Sequence, residues 1–519
     1  MIAQVLTGGV QGVDAYLVRV EVSSEAANES HMHIVGLPEA AVRESQVRIR
    51  SALRALGYQN GRERVTINLA PAHIRKSGTA YDLPMALGLL ASRKIVAPEA
   101  LAGRMALGEV SLDGRVRPVR GVLPVAIAAR DAGMETLIVP HDNGPEAAVV
   151  QGLRVVGVRD ISHAVAALSS ECPEGECRYS HDDPNPPKQA VPRVDLAEVC
   201  GQERAKRALE IAAAGGHGLL MVGSPGSGKS MLARRMTTIL PSMSLNEQLE
   251  TTKIYSVAGL LRNGQGLMRE RPFRAPHHTA SDVALVGGGS FPRPGEISLA
   301  HNGVLFLDEL PEYRRQVLEV LRQPLEDHFV TVSRAALTVT FPAHFTLIAA
   351  MNPCPCGYAT DPRHRCKCTP VERTRYQGRL SGPLLDRVDL QVSVQPVPFG
   401  QLRAARRGEP SEVVQARVEI ARRVQSQRLA AEGLAANSQM GSSAIRRYCR
   451  LTPEAERLFA QALEKFGLSA RAHDRMLRVA RTIADLQVGG DAQEISAGAR
   501  CTRLGPEHIV EALELRGFI

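Results

Sequence analysis

The sequence predicts an α/β protein in several units: an α+β front domain, a central α/β domain and a helical C-terminal part. Three observations predict it. The apolar run Leu219-Leu220-Met221-Val222 breaks into Gly223-Ser224-Pro225-Gly226-Ser227-Gly228-Lys229-Ser230 and resumes as the helix-forming Met231-Leu232-Ala233-Arg234-Arg235-Met236. Two further apolar runs, Val304-Leu305-Phe306-Leu307 and Phe345-Thr346-Leu347-Ile348-Ala349-Ala350-Met351, end in Asp308-Glu309 and in Asn352. Short continuous apolar runs of this kind read as buried strands. From Glu454 to Phe518 the periodicity is helical instead, with a loop-like interruption over 489–503.

At 519 residues the chain is too long for one core and should hold about three domains. Its 44% hydrophobic content supports well-filled cores, although Trp is absent. The formal net charge of +9 (pI ≈ 9.2) suits a polyanionic partner, but ordinary chains of this length carry such charge too. No apolar run reaches the roughly eighteen residues of a transmembrane helix. The start, Met1-Ile2-Ala3-Gln4-Val5-Leu6, lacks the basic segment of a signal peptide. Nine cysteines, an odd and mostly scattered set, do not make a disulfide framework, so a cytoplasmic, reducing setting is expected.

Residues 1–168 read as the front domain. Alternation in Ala15-Tyr16-Leu17-Val18-Arg19-Val20-Glu21-Val22 predicts a half-buried strand, with further strands at His33–Leu37, Val65–Leu69 and Thr136–Pro140. Val42, Val47, Ile49, Leu53 and Leu56 fall near helical spacing before the stop signal Gly57, and Asp82–Leu90 predicts a second helix. Asp113-Gly114 marks a hairpin. The Pro-rich, polar residues 169–193 read as a linker, in which Cys172 and Cys177 have no assigned role. The central domain is expected over 194–400, and a helical connector with the C-terminal helices over 401–519.

The spacing G-x-x-x-x-G-K-S is that of a phosphate-binding P-loop. Its glycines let backbone N–H groups converge on a polyphosphate, and the following helix N-terminus adds partial positive charge. Lys229 is expected on the β- and γ-phosphates and Ser230 on Mg²⁺, which makes Gly223 to Ser230 a nucleoside triphosphate site, with ATP the expected ligand. Asp308 then completes the Mg²⁺ site, Glu309 activates the attacking water, and Asn352 positions it. Cys354-Pro355-Cys356 and Cys366-Lys367-Cys368 form two thiol pairs across a short loop. Four thiolates can close a tetrahedral Zn²⁺ site, although C-x-C stands where C-x-x-C is commoner; free thiols are the alternative. His277-His278, in a Gly- and Pro-rich insertion over 271–296, read as structural or interface residues. Val330–Thr340 alternates like a hairpin with Arg334 near its tip, either a phosphate-backbone contact or an exposed turn residue. The connector carries Arg403, Arg406, Arg407, Arg417, Arg422, Arg423 and Arg428, and reads as a solvated face rather than a DNA contact.

Pro71-Ala72-His73-Ile74-Arg75-Lys76-Ser77-Gly78-Thr79-Ala80-Tyr81-Asp82-Leu83-Pro84 and Gly114-Arg115-Val116-Arg117-Pro118-Val119-Arg120-Gly121 resemble the Lon-protease-type domain. In that family a nucleophilic Ser stands where this chain has Ala80, and a catalytic Lys stands just after Gly121, where Val122-Leu123-Pro124-Val125 occurs. The resemblance therefore implies a proteolytically dead domain. Asp195–Gln202 resembles the entry of an AAA+ ATPase domain, which implies Val199, Gly201 and Gln202 in the nucleotide pocket, a plain helix entry being the alternative. Leu380-Ser381-Gly382-Pro383-Leu384-Leu385-Asp386-Arg387-Val388-Asp389-Leu390 resembles the arginine-finger segment of chelatase- and MCM-type motors, which implies that Arg387 acts on a neighbouring subunit's γ-phosphate. Leu468–Arg478 resembles a sensor-2 helix, which implies Arg471 on the γ-phosphate, with Arg475 and Arg478 close behind, and the helices after 454 as the AAA+ lid.

Together these features resemble the ComM/YifB family of magnesium-chelatase-like AAA+ proteins across nearly the whole chain. The resemblance implies a homo-hexameric ring motor, without a membrane, that acts on single-stranded and branched DNA. It further implies branch migration during natural transformation. Hairpins such as 330–340 project into the ring's pore in related motors. A chelatase-type motor subunit and a protein-remodelling ATPase are the alternatives; the front domain and cysteine cluster weigh against the first.

Overall fold

The computed structural model describes residues 2–517 except 59–61, 170–177, 180–193, 263, 290–291, 335–336, 362, 398–407, 491–493 and 497–502. Cys172, Cys177, Arg403, Arg406, Arg407 and most of the expected linker lie outside the described residues.

The front domain contains β1 (Ile2–Gln11), β2 (Asp14–Ala26), β3 (His31–Val35), α1 (Ala40–Ala55), β4 (Glu63–Ala70), α2 (Asp82–Ser92), β5 (Arg104–Ala106) and α3 (Val122–Asp131). It continues with β6 (Thr136–Pro140), β7 (Arg154–Val158), α4 (Ile161–Leu168) and β8 (Arg178–Tyr179). The eight strands form one mixed sheet in the order β8-β7-β6-β5-β1-β2-β4-β3. Helix α2 is buried at every position, as an apolar helix lying between the sheet and the outer helices α1 and α4 must be. The two-residue strand β8 falls inside the stretch expected to be linker. It pairs antiparallel with β7, and the Tyr179 hydroxyl donates to the His141 carbonyl at 2.9 Å.

Next come α5 (Glu203–Gly215), β9 (Leu219–Val222), α6 (Lys229–Ile239), α7 (Leu245–Ala258), β10 (Phe273–Arg274), β11 (Val304–Leu307), β12 (Phe329–Arg334), β13 (Leu337–Pro342), β14 (Thr346–Met351) and β15 (Leu390–Ser393). Five of these strands form a wholly parallel sheet in the order β10-β11-β14-β9-β15. Helices cover both faces of such a sheet, which is why β11 is apolar at every position rather than alternating. The order places β14 between the P-loop strand β9 and the acid-bearing strand β11. Strands β12 and β13 stand apart as a separate hairpin.

The C-terminal part carries α8 (Ser411–Leu429), α9 (Ser442–Tyr448), α10 (Pro453–Phe466), α11 (Ala470–Asp485) and α12 (Pro506–Glu514). It shares one apolar core with α5, α6 and one face of the parallel sheet. The front domain docks on α7: the Gly121 N–H donates to the Ser256 carbonyl at 3.1 Å, and the Ser256 hydroxyl donates to buried Glu146. Among the described residues no helix is long and apolar enough to cross a membrane.

Candidate nucleotide site

Strand β9 aims the chain at the P-loop, and parallel pairing with β14 brings Met221 beside Ala350 and Val222 beside Met351. A Cβ on Gly223 would meet the Val394 carbonyl oxygen at 2.1 Å, so only glycine fits where the loop leaves the sheet. Gly228, at φ +94°, then turns the chain into α6, whose first residue is Lys229. The Lys229 ammonium donates to the carbonyls of Gly223 (2.7 Å) and Ser224 (3.0 Å) and to Asn352 Oδ1 (3.2 Å). Burial lowers its pKa, opposed by the charges of Asp308 and Glu309. A polyphosphate arriving here meets a partly desolvated cation held by groups that it can displace.

The Ser230 hydroxyl donates to Asp308 Oδ2 at 2.6 Å, although the two residues come from opposite sides of β14. Oδ1 of Asp308 accepts the Glu309 N–H at 2.9 Å, and Glu309 itself adopts φ +50°. A hydroxyl and a carboxylate converging beside a phosphate cradle are the hard oxygen donors that Mg²⁺ takes. The buried Ser227 hydroxyl has no hydrogen-bond partner among the described residues, which suits a loop that wraps an anion. The residues present therefore fit ATP and Mg²⁺. Gln202, at φ +60°, donates to the Ser227 carbonyl at 3.2 Å and to the Gln395 carbonyl, and Gly201 sits at φ +61° beside it. Gln202 thus faces the P-loop.

Sequence reasoning missed His278. Its Nδ1 lies 3.1 Å from Glu309 Oε2, and its ring meets Tyr313 edge-on with centroids 6.4 Å apart. The paired histidines were a visible signal, but only the fold brings the loop after β10 over the end of β11. Burial, reinforced by the charges of Asp308 and Glu309, raises the Tyr313 pKa.

Arg387 and Arg471 both lie away from this chain's own P-loop. Arg387 donates to the Pro383 carbonyl at 2.6 Å and pairs with Glu326. Its carbonyl oxygen would stand 3.5 Å from a Cβ on Gly218, which precedes β9, so it occupies the amino end of the sheet. The P-loop occupies the carboxyl end. Arg471 is exposed on the first turn of α11, and the rest of that helix also serves the amino end. There Arg475 lies 3.6 Å from Asp389, while His217 bridges Asp389 (3.1 Å) and Thr482 (2.8 Å). Burial opposes the charged form of Asp389, but hydrogen bonding and charge from His217, with Arg475 and Arg478, hold its carboxyl below the usual range.

The backbone of Arg334 pairs with Leu337 where the β12–β13 hairpin turns; its side chain and the tip lie outside what is described. The connector is corrected in part. Arg417 pairs with Glu210 at 2.7 Å, Arg422 donates to the Ala213 carbonyl at 2.9 Å, and Arg428 pairs with Asp485, both fully buried. These arginines pin α8 to the core, whereas Arg423 remains exposed. Cys354, Cys356, Cys366 and Cys368 do converge, with their sulfurs all within 4.8 Å of one another. His364 stands aside, 3.5 Å from Asp361.

Comparison with known proteins agrees with this arrangement. The family described as Magnesium chelatase, subunit ChlI matches residues 195–402. Subunit ChlI of Mg-chelatase matches 19–143, and the subunit's C-terminal family matches 408–516. Competence protein ComM of Haemophilus influenzae is 41% identical over 530 aligned residues, covering 100% of this chain and 98% of the relative. The protein YifB of Escherichia coli is 43% identical, covering 92% of each chain. The chloroplastic magnesium-chelatase subunit ChlI of Nicotiana tabacum is 25% identical over 41% of this chain. With P-loop, acid pair and end-to-end similarity in agreement, the chain belongs to the ComM/YifB family of magnesium-chelatase-like AAA+ ATPases.

Proposed function

We propose that this protein is an ATP-driven DNA motor that works as a homo-hexameric ring and moves branch points in recombination intermediates during natural transformation. The observation that carries the ATPase reading is the convergence of Lys229, Ser230, Asp308 and Asn352 from three adjacent parallel strands. Lys229 transfers from its own loop carbonyls to the β- and γ-phosphates. Ser230 and Asp308 would hold Mg²⁺, which would neutralise phosphate charge. Glu309 leaves His278 and accepts a proton from the attacking water, and Asn352 orients that water. Arg387 and Arg471 lie away from their own P-loop, which supports a role at a neighbouring subunit's nucleotide. The degenerate Lon-protease-like front domain has Ala80 where a nucleophile would stand, and serves oligomer or DNA contacts rather than hydrolysis of peptides.

The DNA substrate is supported by the similarity to a competence protein, by the net charge of +9 and by the β12–β13 hairpin. A second reading, a chelatase-type motor subunit, draws on the chelatase family matches. Strand exchange on a labelled three-stranded DNA junction separates the two. ATP-dependent resolution by the intact protein, absent in Lys229→Ala, is expected. No strand exchange at any protein concentration, together with ATPase unaffected by DNA, would reject the motor on DNA.

A further inference from the structure

The four converging thiols take no part in nucleotide chemistry, yet their loop touches the machinery that does. Sγ separations are 3.4 Å for Cys354–Cys356, 3.5 Å for Cys356–Cys366 and 3.7 Å for Cys354–Cys366. A disulfide needs about 2.05 Å, so these sulfurs are not bonded to one another. Four sulfurs at about 2.3 Å from a tetrahedral Zn²⁺ stand about 3.8 Å apart, close to the spacing found. A backbone donor also reaches them: the Cys356 N–H donates to Cys368 Sγ at 3.4 Å. Such a donor orients a metal ligand.

The second observation is where the loop lies. Gly357, between the first thiol pair and the rest of the loop, has φ +84°. A Cβ there would stand 2.5 Å from Pro225 Cδ in the P-loop and 3.9 Å from Asn352 Cγ. Asn352 in turn accepts from Lys229, which also holds the Ser224 carbonyl next to Pro225. One packed turn thus joins the thiol cluster to both the phosphate loop and the residue that orients the water.

We propose that a zinc ion held by Cys354, Cys356, Cys366 and Cys368 latches the P-loop, so that metal occupancy sets the affinity for nucleotide. The proposal rests on ATP binding at Lys229. With the ion in place, the turn over residues 354–358 is held rigid, which presses Gly357 against Pro225 and fixes the register of Asn352. Without it, nothing ties the four sulfurs together, the loop is free to move off Pro225, and the P-loop loses its outer support. Soft thiolate ligation selects Zn²⁺ over Mg²⁺, so the two metals do not compete for one site.

The test uses the full chain purified under reducing conditions, with bound metal measured by mass spectrometry. Affinity for a fluorescent ATP analogue with Mg²⁺ is compared before stripping, after stripping and after adding back Zn²⁺. One zinc per chain is expected, with affinity falling about tenfold or more on stripping and returning with the metal. Gly357→Ala, which keeps all four thiols, should retain zinc and still lose affinity, and it decides the matter if stripping unfolds the chain. Absence of stoichiometric zinc before stripping and after add-back would overturn the metal site. Zinc that comes off without changing affinity, or full affinity in Gly357→Ala, would overturn the latch. A zinc-loaded protein that binds no nucleotide would instead refute the ATP reading, and Lys229→Ala supplies that baseline.

Discussion

The two ends of the central parallel sheet are built from similar residues and do opposite work. At the carboxyl end, Lys229, Ser230, Asp308, Glu309 and Asn352 meet in a partly open network, in which Glu309 is exposed. At the amino end, His217, Asp389, Arg475 and Thr482 satisfy one another while largely buried. Charges that are to receive a ligand must stay within its reach. Charges that fix a helix to a sheet must have partners, because an unpaired buried charge is expensive. The difference separates a reactive site from a structural joint, although a carboxylate and basic groups appear in both.

The largest expected effects are on turnover at the carboxyl end, including that of Arg387, which lies at the amino end of its own sheet and is proposed to reach a neighbouring subunit's nucleotide. Arg387→Ala should lower kcat by about 10³-fold with ATP binding retained, because an arginine finger acts on the transition state. Adding an excess of Lys229→Ala subunits, which supply intact fingers, should restore turnover. Failure to restore it would move Arg387 into its own subunit's structure. Glu309→Gln should cost about 10²–10⁴-fold in kcat, measured as phosphate release, with nucleotide affinity unchanged.

The amino end should respond in stability. Asp389→Ala leaves His217 and Arg475 facing each other without their acid, and should destabilise the chain by about 3–5 kcal/mol in denaturant unfolding. Affinity for ATP in the folded variant should stay near that of the parent. Because the folded Asp389 pKa is lowered, its contribution is present above the usual carboxylate pKa and is lost as pH falls through the lowered value. Acid unfolding of the parent should therefore show an extra proton uptake that Asp389→Asn lacks.

The smallest effect is expected at the His278–Glu309 pair. The pair is partly exposed, and such pairs are worth about 0.2–1 kcal/mol. His278→Ala should free Glu309 and raise the basal kcat by less than about fivefold, with KM for ATP unmoved. A large fall in kcat would instead make His278 part of the reacting set.

How much of this was legible in the sequence follows the same division. The carboxyl end could be read because each part sits within a few residues of a strand end, at a spacing that phosphate geometry imposes. The amino end could not, since His217 meets partners 172 and 265 positions away. Arg475, close to the residue chosen from sequence for phosphate, turned out to serve Asp389. Arginines 417, 422 and 428 looked like solvated charge because composition does not say which way a helix faces. Strand β8 was hidden because two residues in a Pro-rich polar stretch carry no periodicity, and pairing with β7 defines them. The thiol cluster was visible as two C-x-C pairs, but its seat on Pro225 was not.

The most direct test is the ATPase rate with no DNA, single-stranded DNA, duplex and branched DNA, with Glu309→Gln as the control. Turnover that rises with DNA, most on branched substrates, and vanishes in the variant is the predicted result. A rate that is the same with every DNA, or that survives Glu309→Gln, would contradict an ATP site at the carboxyl end driving movement on DNA.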